Sequence, residues 1–467
     1  MFKRYAKDAP PPLPPAPPAA PRTVRPAADA APEANPESRE AKRRQRLLQI
    51  KVDLHRRLLE TLNLAVIDRV PEAELRREIA VIAREGLREM GVVLNAAEAE
   101  QLTQELMDEV TGLGPLEPLL KDDSIADILV NGAHQIFVER GGKLVLTDVQ
   151  FKDDKHLLRV IDKIVSAVGR RVDESMPYVD ARLADGSRVN AIVPPCAVDG
   201  PLLSIRKFSK KPLSIDKLIA FGAFTEEMAA YLQAVVATRL NVIVSGSTGS
   251  GKTTTLNALS SFIANSDRIA TIEDTAELQL QQVHVARMES RPPNVEGKGE
   301  VSQRILLKNA LRMRPDRIIV GETRGEEVMD MLQAMNTGHD GSMTTIHANS
   351  PRDAVSRIEN MMLMSGIDIP LRATRAQIAS AVHVIVQVSR LSDGSRRMTS
   401  VAEVTGMEGE VVAMQDIFRF KREGIAPDGT VTGHFEASGI RSSFAERFSV
   451  WGYSLPADIY APNRKLG

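Results

Sequence analysis

A glycine-rich stretch near the middle of the chain carries the clearest chemical signal in the sequence. It fits the pattern G-x-x-x-x-G-K-[ST], and its residues are Gly246, Ser247, Thr248, Gly249, Ser250, Gly251, Lys252 and Thr253. Glycines allow such a loop to curl so that its backbone N–H groups point inward at a phosphate chain. The lysine then contacts the β- and γ-phosphates, and the threonine hydroxyl binds Mg²⁺. We predict that these residues, together with Thr254, bind a nucleotide and that Thr253 binds the metal directly.

The residues on either side of this stretch, called the phosphate loop below, have the patterns that it requires. Asn241–Val244 is a short, apolar, β-branched run typical of a buried strand, and Leu256–Leu259 suits a helix. A helix that begins at the loop adds the positive end of its dipole to the anion site. A glycine-rich turn without a ligand is the alternative interpretation, and the strand and helix around it make that the weaker one.

Polar side chains follow three further apolar runs at the point where each run ends. The runs are Ile269–Ile272, Arg317–Val320 and Met343–Ile346, and the polar residues after them are Glu273 with Asp274, Glu322 and His347. Apolar runs separated by helical stretches predict an α/β fold with a largely parallel sheet covered on both faces. Ligands bind at the carboxyl ends of such strands, so we expect these side chains to converge on the phosphates.

These acidic residues and the histidine suit hydrolysis of a phosphoanhydride, which needs a metal, a positioned water and neutralised γ-phosphate charge. Glu322 fits the carboxylate that polarises water or orders Mg²⁺ through water, and Glu273 is the other candidate for the base. Each acid alone is more commonly a solvated loop carboxylate, but only Gly321 separates Glu322 from an apolar strand. His347 is placed to donate to the γ-phosphate, although a lone histidine more often makes a local structural hydrogen bond.

The composition sets limits on compartment and partners. A chain of 467 residues is expected to form about three domains. Its 60 Lys and Arg residues nearly cancel its 61 Asp and Glu residues, so the net charge gives no electrostatic field that favours nucleic acid. A single cysteine, Cys196, excludes an intrachain disulfide and a cysteine-rich zinc site. No apolar run approaches the length of a membrane span. The first residues are basic and are followed directly by prolines instead of an apolar segment, so we expect no signal peptide and a cytosolic protein. Contact with a membrane is expected to be peripheral, through partners.

Changes in composition along the chain predict its domains. The predicted segments are a disordered Pro/Ala-rich tail at 1–38, a three-helix bundle at 40–110, an α+β N-terminal domain at 111–210, a linker at 211–215, an ATPase domain with a β-rich C-terminal part at 216–450, and a tail at 451–467. The basic run Lys42–Arg46 is either a solvated helical face or a contact for acidic lipid or a partner. After Val388 we identify nothing catalytic.

Four segments together resemble the secretion ATPase superfamily that drives type II and type IV secretion and type IV pili. They are the phosphate loop, an aspartate box at Ala270–Glu277, a Walker B segment at Leu311–Arg324 and a histidine box at Thr337–Asn349. The upstream stretch Gly112–Gly142 resembles the Tad/Flp pilus branch, the CpaF-like ATPases. The resemblance covers about residues 40 to 420.

The resemblance implies a RecA-like ATPase core that forms a homo-hexamer with ATP and Mg²⁺ at subunit junctions. In the family, arginines of the N-terminal domain reach the phosphates; the matching positions here are Arg188 and Arg206, with Arg182 a weaker third. Arg324 is a further residue that the resemblance places between subunits. The expected function is a cytoplasmic motor at the inner face of the bacterial inner membrane that powers assembly, and conceivably retraction, of a Tad pilus through platform proteins.

Two other functions stay open from the sequence. One is a conjugation-type secretion ATPase, and the other is a nucleotide-gated scaffold that does not hydrolyse. A single cysteine argues against the type II branch, whose members often carry a four-cysteine zinc module. No Asn-Lys-x-Asp motif is present, so ATP is preferred to GTP. The direction of pilus movement and the choice between Glu273 and Glu322 as base stay undecided.

Overall fold

The computed structural model describes residues 50, 53–54, 57–58, 71–208, 212–293, 298–366, 369–462 and 464–466. The chain divides into two compact units, Met1–Gly112 and Leu113–Gly467. The predicted tail at 1–38 and the basic run Lys42–Arg46 lie outside the described residues.

The first unit consists of helices that bury one apolar face. Helix α1 spans Glu72–Glu89 and α2 spans Ala96–Val110, and residues 50, 53–54 and 57–58 are also helical. Asn95 begins α2 with a reciprocal cap: its Oδ1 accepts from the Glu98 N–H at 2.8 Å, and its own N–H donates to the Glu98 carboxylate. The buried face is Ile50, Leu54, Leu58, Leu75, Ile79, Ala83, Leu87, Leu102, Leu106 and Met107.

The second unit begins with a six-stranded antiparallel sheet, called the N-terminal sheet below. Its strands are β1 Ile125–Asn131, β2 Gln135–Arg140, β3 Lys143–Leu146, β4 Tyr178–Arg182, β5 Arg188–Ile192 and β6 Leu202–Arg206. They lie in the order β3-β2-β1-β6-β5-β4, with turns at Asn131–Gly132 and Asp185–Gly186 joining neighbours. The accompanying helices are a 3₁₀ turn at Gly114–Leu116, α3 Glu117–Lys121 and α4 Asp154–Ala167.

A ten-stranded sheet forms the rest of the second unit. Its strands are β7 Val242–Gly246, β8 Ile269–Glu273, β9 Val285–Glu289, β10 Arg317–Val320, β11 Met343–Ile346, β12 Val384–Arg390, β13 Arg396–Glu408, β14 Val411–Ile425, β15 Val431–Ala437 and β16 Lys465–Leu466. The order is β16-β15-β14-β13-β12-β7-β11-β10-β8-β9. The six strands from β12 to β9 in this order are parallel, and the others are antiparallel.

Helices cover both faces of the parallel strands, as the apolar runs predict. They are α5 Ile215–Ala220, α6 Glu226–Ala237, α7 Lys252–Ser260, α8 Gln303–Ala310, α9 Glu327–Asn336, α10 Pro351–Met364, α11 Leu371–Ala381 and α12 Ala445–Val450, followed by a 3₁₀ turn at Ala457–Tyr460. β7, β8, β10 and β11 are buried along their whole length. Strand β9 is not among the predicted strands, because this edge strand is only partly buried and lacks an apolar run.

A buried asparagine clamps the amino end of the parallel sheet. Asn241 Nδ2 donates to the carbonyl oxygens of Ala381 at 2.7 Å and Met335 at 3.2 Å. Its Oδ1 accepts from the N–H groups of Gly341 at 2.8 Å and Ser342 at 3.1 Å. The side chain is fully buried, so it satisfies four backbone groups that water does not reach. The segments that lead into β7, β11 and β12 are therefore held together by one residue.

We predict that Asn241→Ala destabilises the second unit by about 3 kcal/mol, because four backbone groups lose their partner and unpaired buried groups cost about 1–3 kcal/mol each before relaxation. The measurement is thermal unfolding followed by fluorescence of Trp451, the chain's single tryptophan, which lies in this unit. The matched control is Asn190→Ala, an exposed asparagine bonded only on the surface to Asp180. Equal melting temperatures for the two variants would contradict the clamp.

Candidate functional site

The phosphate loop joins a buried strand to a helix, as its sequence context predicts. It follows β7 directly, and α7 begins at Lys252. Gly249 and Gly251 have φ of 70° and 96°, a left-handed conformation that side-chain-bearing residues rarely adopt. A Cβ on Gly246 would lie 2.4 Å from the Val388 carbonyl oxygen of neighbouring β12. The glycines are therefore required by backbone conformation and by close approach.

Three donors of the loop converge on a single oxygen. The carbonyl of Ser247 accepts from the Ser250 N–H at 3.3 Å, from Ser250 Oγ at 2.8 Å and from Lys252 Nζ at 3.2 Å. A backbone N–H, a hydroxyl and an ammonium form the donor set that a phosphate oxygen would engage. The loop therefore has the chemistry of an anion cradle.

Lys252 contacts the histidine that ends the neighbouring strand. Its Nζ lies 3.2 Å from Nε2 of His347, the residue that follows β11. Burial lowers the pKa of Lys252, and the negative charge of Glu322 opposes this shift. Burial also lowers the pKa of His347, against the opposing effect of Glu322, so the imidazole is neutral at pH 7. A neutral Nε2 either accepts from Lys252 or donates to another group.

Glu322 lies between this histidine and an arginine. Its Oε2 accepts from Arg324 Nη2 at 2.6 Å, while Oε1 lies 2.8 Å from His347 Nε2. Among the described residues, no donor is aligned well enough to hydrogen-bond Oε1. The paired Glu322 carboxylate raises the pKa of Arg324 through their hydrogen bond. One carboxylate oxygen of Glu322 is thus held by Arg324, while the other is buried beside the His347 imidazole.

Glu273, the last residue of β8, is more deeply buried. Its Oε1 accepts from the N–H groups of Glu277 at 2.8 Å and Leu278 at 2.9 Å. Its Oε2 is buried without a hydrogen-bond partner in the part of the chain that the structure describes. Burial raises the pKa of Glu273, and the two backbone hydrogen bonds oppose that rise. Like Glu322, this side chain presents one unpaired oxygen.

The two arginines singled out in the N-terminal sheet reach the same region within one chain. Arg188 on β5 forms an ion pair with Glu277 (Nε to Oε1, 3.1 Å), and its Nη2 donates to the Thr275 carbonyl at 3.3 Å. Arg206 on β6 lies 3.6 Å from Asp127. Arg182, the weaker candidate, instead forms an ion pair with Glu289 at 3.0 Å. The N-terminal sheet therefore contributes guanidinium groups beside the ends of β8 and β9.

One cavity of about 740 Å³ contains these groups. Every predicted catalytic residue lines it, together with most of the predicted nucleotide-binding residues: Arg188, Arg206, Glu273, Glu322, His347, Thr248, Gly249, Ser250, Gly251, Lys252, Thr253 and Thr254. Gly246 and Ser247 form the base of the loop behind this lining. The expectation that polar strand ends converge is therefore met by the geometry, whereas their chemical roles stay predictions.

The cavity also has walls that the sequence interpretation missed. Arg396 and Arg397, the first two residues of β13, line it, and Phe208 and Phe221 form part of an apolar side. The available signal was a cluster of arginines around the Asp393–Gly394 turn. Because β12 pairs in parallel with β7, the residues after β12 must lie beside the phosphate loop. That pairing is not readable from local sequence.

Within the described ranges, no helix is both long and apolar enough to cross a membrane.

Comparisons with known proteins place the chain in a family. The family model described as "Type II/IV secretion system protein" matches residues 109–426. A putative conjugal transfer protein of Mycobacterium tuberculosis is 39% identical over 315 residues, which cover 66% of this chain and 89% of that protein. The conjugal transfer protein TrbB of Rhizobium radiobacter is 32% identical over 294 residues, which cover 62% of this chain and 86% of that protein.

A solved structure is also similar to this chain. The crystal structure of the VirB11 ATPase from the Brucella suis type IV secretion system, in complex with sulphate, is 29% identical in sequence and has a TM-score of 0.34. The match covers 62% of this chain and 92% of the VirB11 chain. The chain belongs to the type II/IV secretion system protein family.

Proposed function

We propose that this chain is an ATP hydrolase that works as the motor of a secretion-type assembly. The observation that supports this most is the single cavity lined by the phosphate loop and by two carboxylates, Glu273 and Glu322, each with one oxygen that accepts no hydrogen bond from the described residues. A scaffold that only binds nucleotide needs no such oxygens. A hydrolase needs a proton acceptor and a means of ordering water, and these oxygens supply both.

The residues present fit Mg²⁺ as the metal. Thr253 in the first turn of α7 would hold it directly, and the unpaired Oε1 of Glu322 would hold it through water. The described residues contain no group of three or more His, Cys, Asp or Glu side chains arranged to bind a metal. This agrees with Mg²⁺, which usually binds through one or two protein groups, waters and the phosphates themselves. When bound, Mg²⁺ neutralises charge that develops on the phosphates.

The base is one of the two carboxylates. Glu322 lies 2.8 Å from His347, which in turn contacts Lys252, the residue expected to engage the β- and γ-phosphates. Glu273 is more buried. Burial raises its pKa, which makes it a stronger proton acceptor than an ordinary carboxylate. We assign Glu322 to ordering the attacking water with the metal, and leave Glu273 as the rival base.

The arginines are assigned to charge stabilisation. Arg188 is held by the Glu277 carboxylate beside the cavity, and Arg206 by Asp127. A planar guanidinium matches the equatorial oxygens of the transferring phosphoryl group. To reach a phosphate, Arg188 must exchange its ion pair with Glu277 for one with the nucleotide. Closure of the N-terminal sheet onto the ATPase core would accomplish that exchange, a common mode of nucleotide switching.

At the level of assembly, we propose a homo-hexamer that works at the cytoplasmic face of the bacterial inner membrane on a Tad-type pilus platform. The resemblance of Gly112–Gly142 to the Tad/Flp branch supports this assignment. A conjugation-type secretion ATPase is the second candidate, and the names of the Mycobacterium tuberculosis and Rhizobium radiobacter relatives favour it.

We predict that Lys252→Ala reduces ATP turnover to background, because the loop loses the cation that engages the β- and γ-phosphates. Release of inorganic phosphate from ATP with Mg²⁺ measures the effect. Lys308→Ala is the matched control, since Lys308 is exposed on α8 and does not line the cavity. Turnover by Lys252→Ala at the parent rate would refute the nucleotide site.

We predict that Glu322→Gln keeps nucleotide affinity near that of the parent while kcat falls about 10²- to 10⁴-fold, the usual contribution of a positioned acid or base. Affinity is read from binding of a fluorescent ATP analogue, and kcat from phosphate release. Glu326→Gln is the control, because Glu326 is exposed and bonded to Arg304 away from the cavity. A collapse of kcat in Glu273→Gln, with Glu322→Gln unaffected, would transfer the base to Glu273.

We predict that a strain producing only Glu322→Gln lacks surface pili but transfers plasmids at the parental frequency, because the motor drives a pilus platform. Electron microscopy counts the pili, and mating counts the transfers. The Glu326→Gln strain should match the parent in both. Loss of plasmid transfer with normal piliation would favour the conjugation-type function, and so would turnover that is stimulated by DNA.

A further inference from the structure

The turn that joins β12 to β13 forms a wall of the cavity with no role in the function proposed above. Arg390 ends β12 and Arg396 begins β13, and the two residues are paired across the turn. Arg396 lines the cavity. Both arginines lie against the phosphate loop: a Cβ on Gly249 would be 3.7 Å from Arg390 Nη1, and one on Gly251 would be 3.7 Å from Arg396 Cδ. The turn is therefore packed on the outer side of the two left-handed glycines.

Arg396 holds one peptide group of the loop. Its Nε donates to the Gly249 carbonyl at 3.1 Å. The C=O and N–H of a trans peptide point in opposite directions, so a Gly249 carbonyl turned toward Arg396 directs the Ser250 N–H away from it. That N–H donates to the Ser247 carbonyl, the oxygen on which the loop's donors converge. Arg396 thus orients a donor of the anion cradle through the backbone of the loop.

The same two arginines contact the N-terminal sheet. Arg396 Nη2 lies 4.0 Å from Glu139 Oε1 on β2, and Arg390 Nη2 donates to the carbonyl of Gly142 in the turn between β2 and β3. A Cβ on Gly142, whose φ is 82°, would lie 3.2 Å from Arg390 Nη2. The guanidinium groups therefore bridge the phosphate loop on one side and the β2–β3 turn on the other.

The contacts continue from the β2–β3 turn to an arginine of the nucleotide cavity. Glu139 on β2 is a cross-strand neighbour of Asp127 on β1, since Ile128 and Val138 beside them are register partners. Asp127 lies 3.6 Å from Arg206 and is its register partner between β1 and β6. A continuous series of charged side chains thus runs from the phosphate loop through Arg396, Glu139 and Asp127 to Arg206.

We propose that Arg396 is a positioning residue of the nucleotide site, through which the β2–β3 turn of the N-terminal sheet controls the conformation of the phosphate loop. The inference rests on the proposed nucleotide site and adds to it a connection within one chain. Movement of the N-terminal sheet changes the contact between Glu139 and Arg396. Because Arg396 also donates to the Gly249 carbonyl, this changes the orientation of the Gly249–Ser250 peptide. Binding of phosphate to the loop, in turn, alters the position of the N-terminal sheet through the same contacts of Arg396.

The first test is Arg396→Gln, measured by turnover and by binding of a fluorescent ATP analogue with Mg²⁺. Loss of a charged hydrogen bond to the loop should raise KM for ATP and weaken binding about tenfold. The kcat should change little, because Arg396 acts on a loop that holds ground state and transition state alike. A parent-like KM and affinity would overturn the role. A fall in kcat with unchanged KM would also overturn it.

Two variants separate positioning from a general loss of structure. Arg396→Lys keeps the charge but not the planar fork that serves two partners at once, so it should recover part of the affinity. Arg422→Gln is the matched control, an exposed arginine on β14 that does not line the cavity, and it should leave KM unchanged. Thermal unfolding of Arg396→Gln should match that of the control. A lowered melting temperature without any recovery by lysine would attribute the effect to folding and overturn the proposal.

The second test asks whether the N-terminal sheet is connected to the loop through this residue. Glu139→Gln should weaken nucleotide binding in the parent but have no further effect in the Arg396→Gln background. Effects that simply add would overturn the connection, because independent sites are additive. Since binding is measured beside turnover, a parent that binds ATP without hydrolysing it would refute the proposed hydrolase, while the affinities would still decide the role of Arg396.

Discussion

The parallel pairing of β7 with β11 and β12 is the constraint on which the rest of the site depends. Ser245 is opposite Ile346 on one side and Gln387 on the other, so β7 and β11 end at nearly the same level while β12 continues past them to Arg390. His347 therefore emerges beside the start of the phosphate loop. On the next strands along, Val320 is opposite both Thr344 and Ile272, which brings Glu322 and Glu273 to the same edge. A shift of one residue in any of these registers would turn one of these polar side chains toward a face of the sheet that is covered by helices.

Charge in the cavity is balanced internally. Arg324 is paired with Glu322, Arg188 with Glu277, and Lys252 donates to a carbonyl of its own loop. An anionic nucleotide must compete with these partners, and each exchange alters a contact between structural elements. Since Arg188 belongs to the N-terminal sheet and Glu277 follows β8, exchange at this pair changes how the two sheets are joined. Binding energy can in this way be converted into movement.

The two ends of the parallel sheet have different chemical tasks. At the amino end, the fully bonded Asn241 holds strand-leading segments together without an unpaired atom on its side-chain amide. At the carboxyl end, Oε2 of Glu273 and Oε1 of Glu322 accept no hydrogen bond from the described residues, although Oε1 of Glu322 lies 2.8 Å from His347 Nε2. Buried acceptors without a hydrogen bond lower the stability of the fold, and proteins tolerate them mainly at functional sites. The hydrogen-bonded amino end of the sheet thus stabilises the strands whose carboxyl ends form the candidate site.

Local sequence was sufficient for much of the fold and the site. The apolar runs before Gly246, Glu273, Glu322 and His347 are strands, because three or four β-branched or apolar residues in succession suit only a buried position in this setting. The phosphate loop was predictable because its glycines meet a backbone requirement that other residues cannot. By contrast, edge strand β9 is half-exposed, so its residues carry no apolar pattern and it was missed.

The sequence by itself determined which residues are predicted to carry phosphate chemistry and that they follow buried parallel strands, because these properties depend on side-chain type and on neighbours in the chain. Only the tertiary structure decided which strands are adjacent and therefore what else reaches the cavity. Arg396 and Arg206 are separated by 190 positions in the chain, yet each approaches the loop, one through the strand beside β7 and the other through the N-terminal sheet. Long-range register is set by the packing of whole sheets and not by local pattern, so these contacts could be found only in three dimensions.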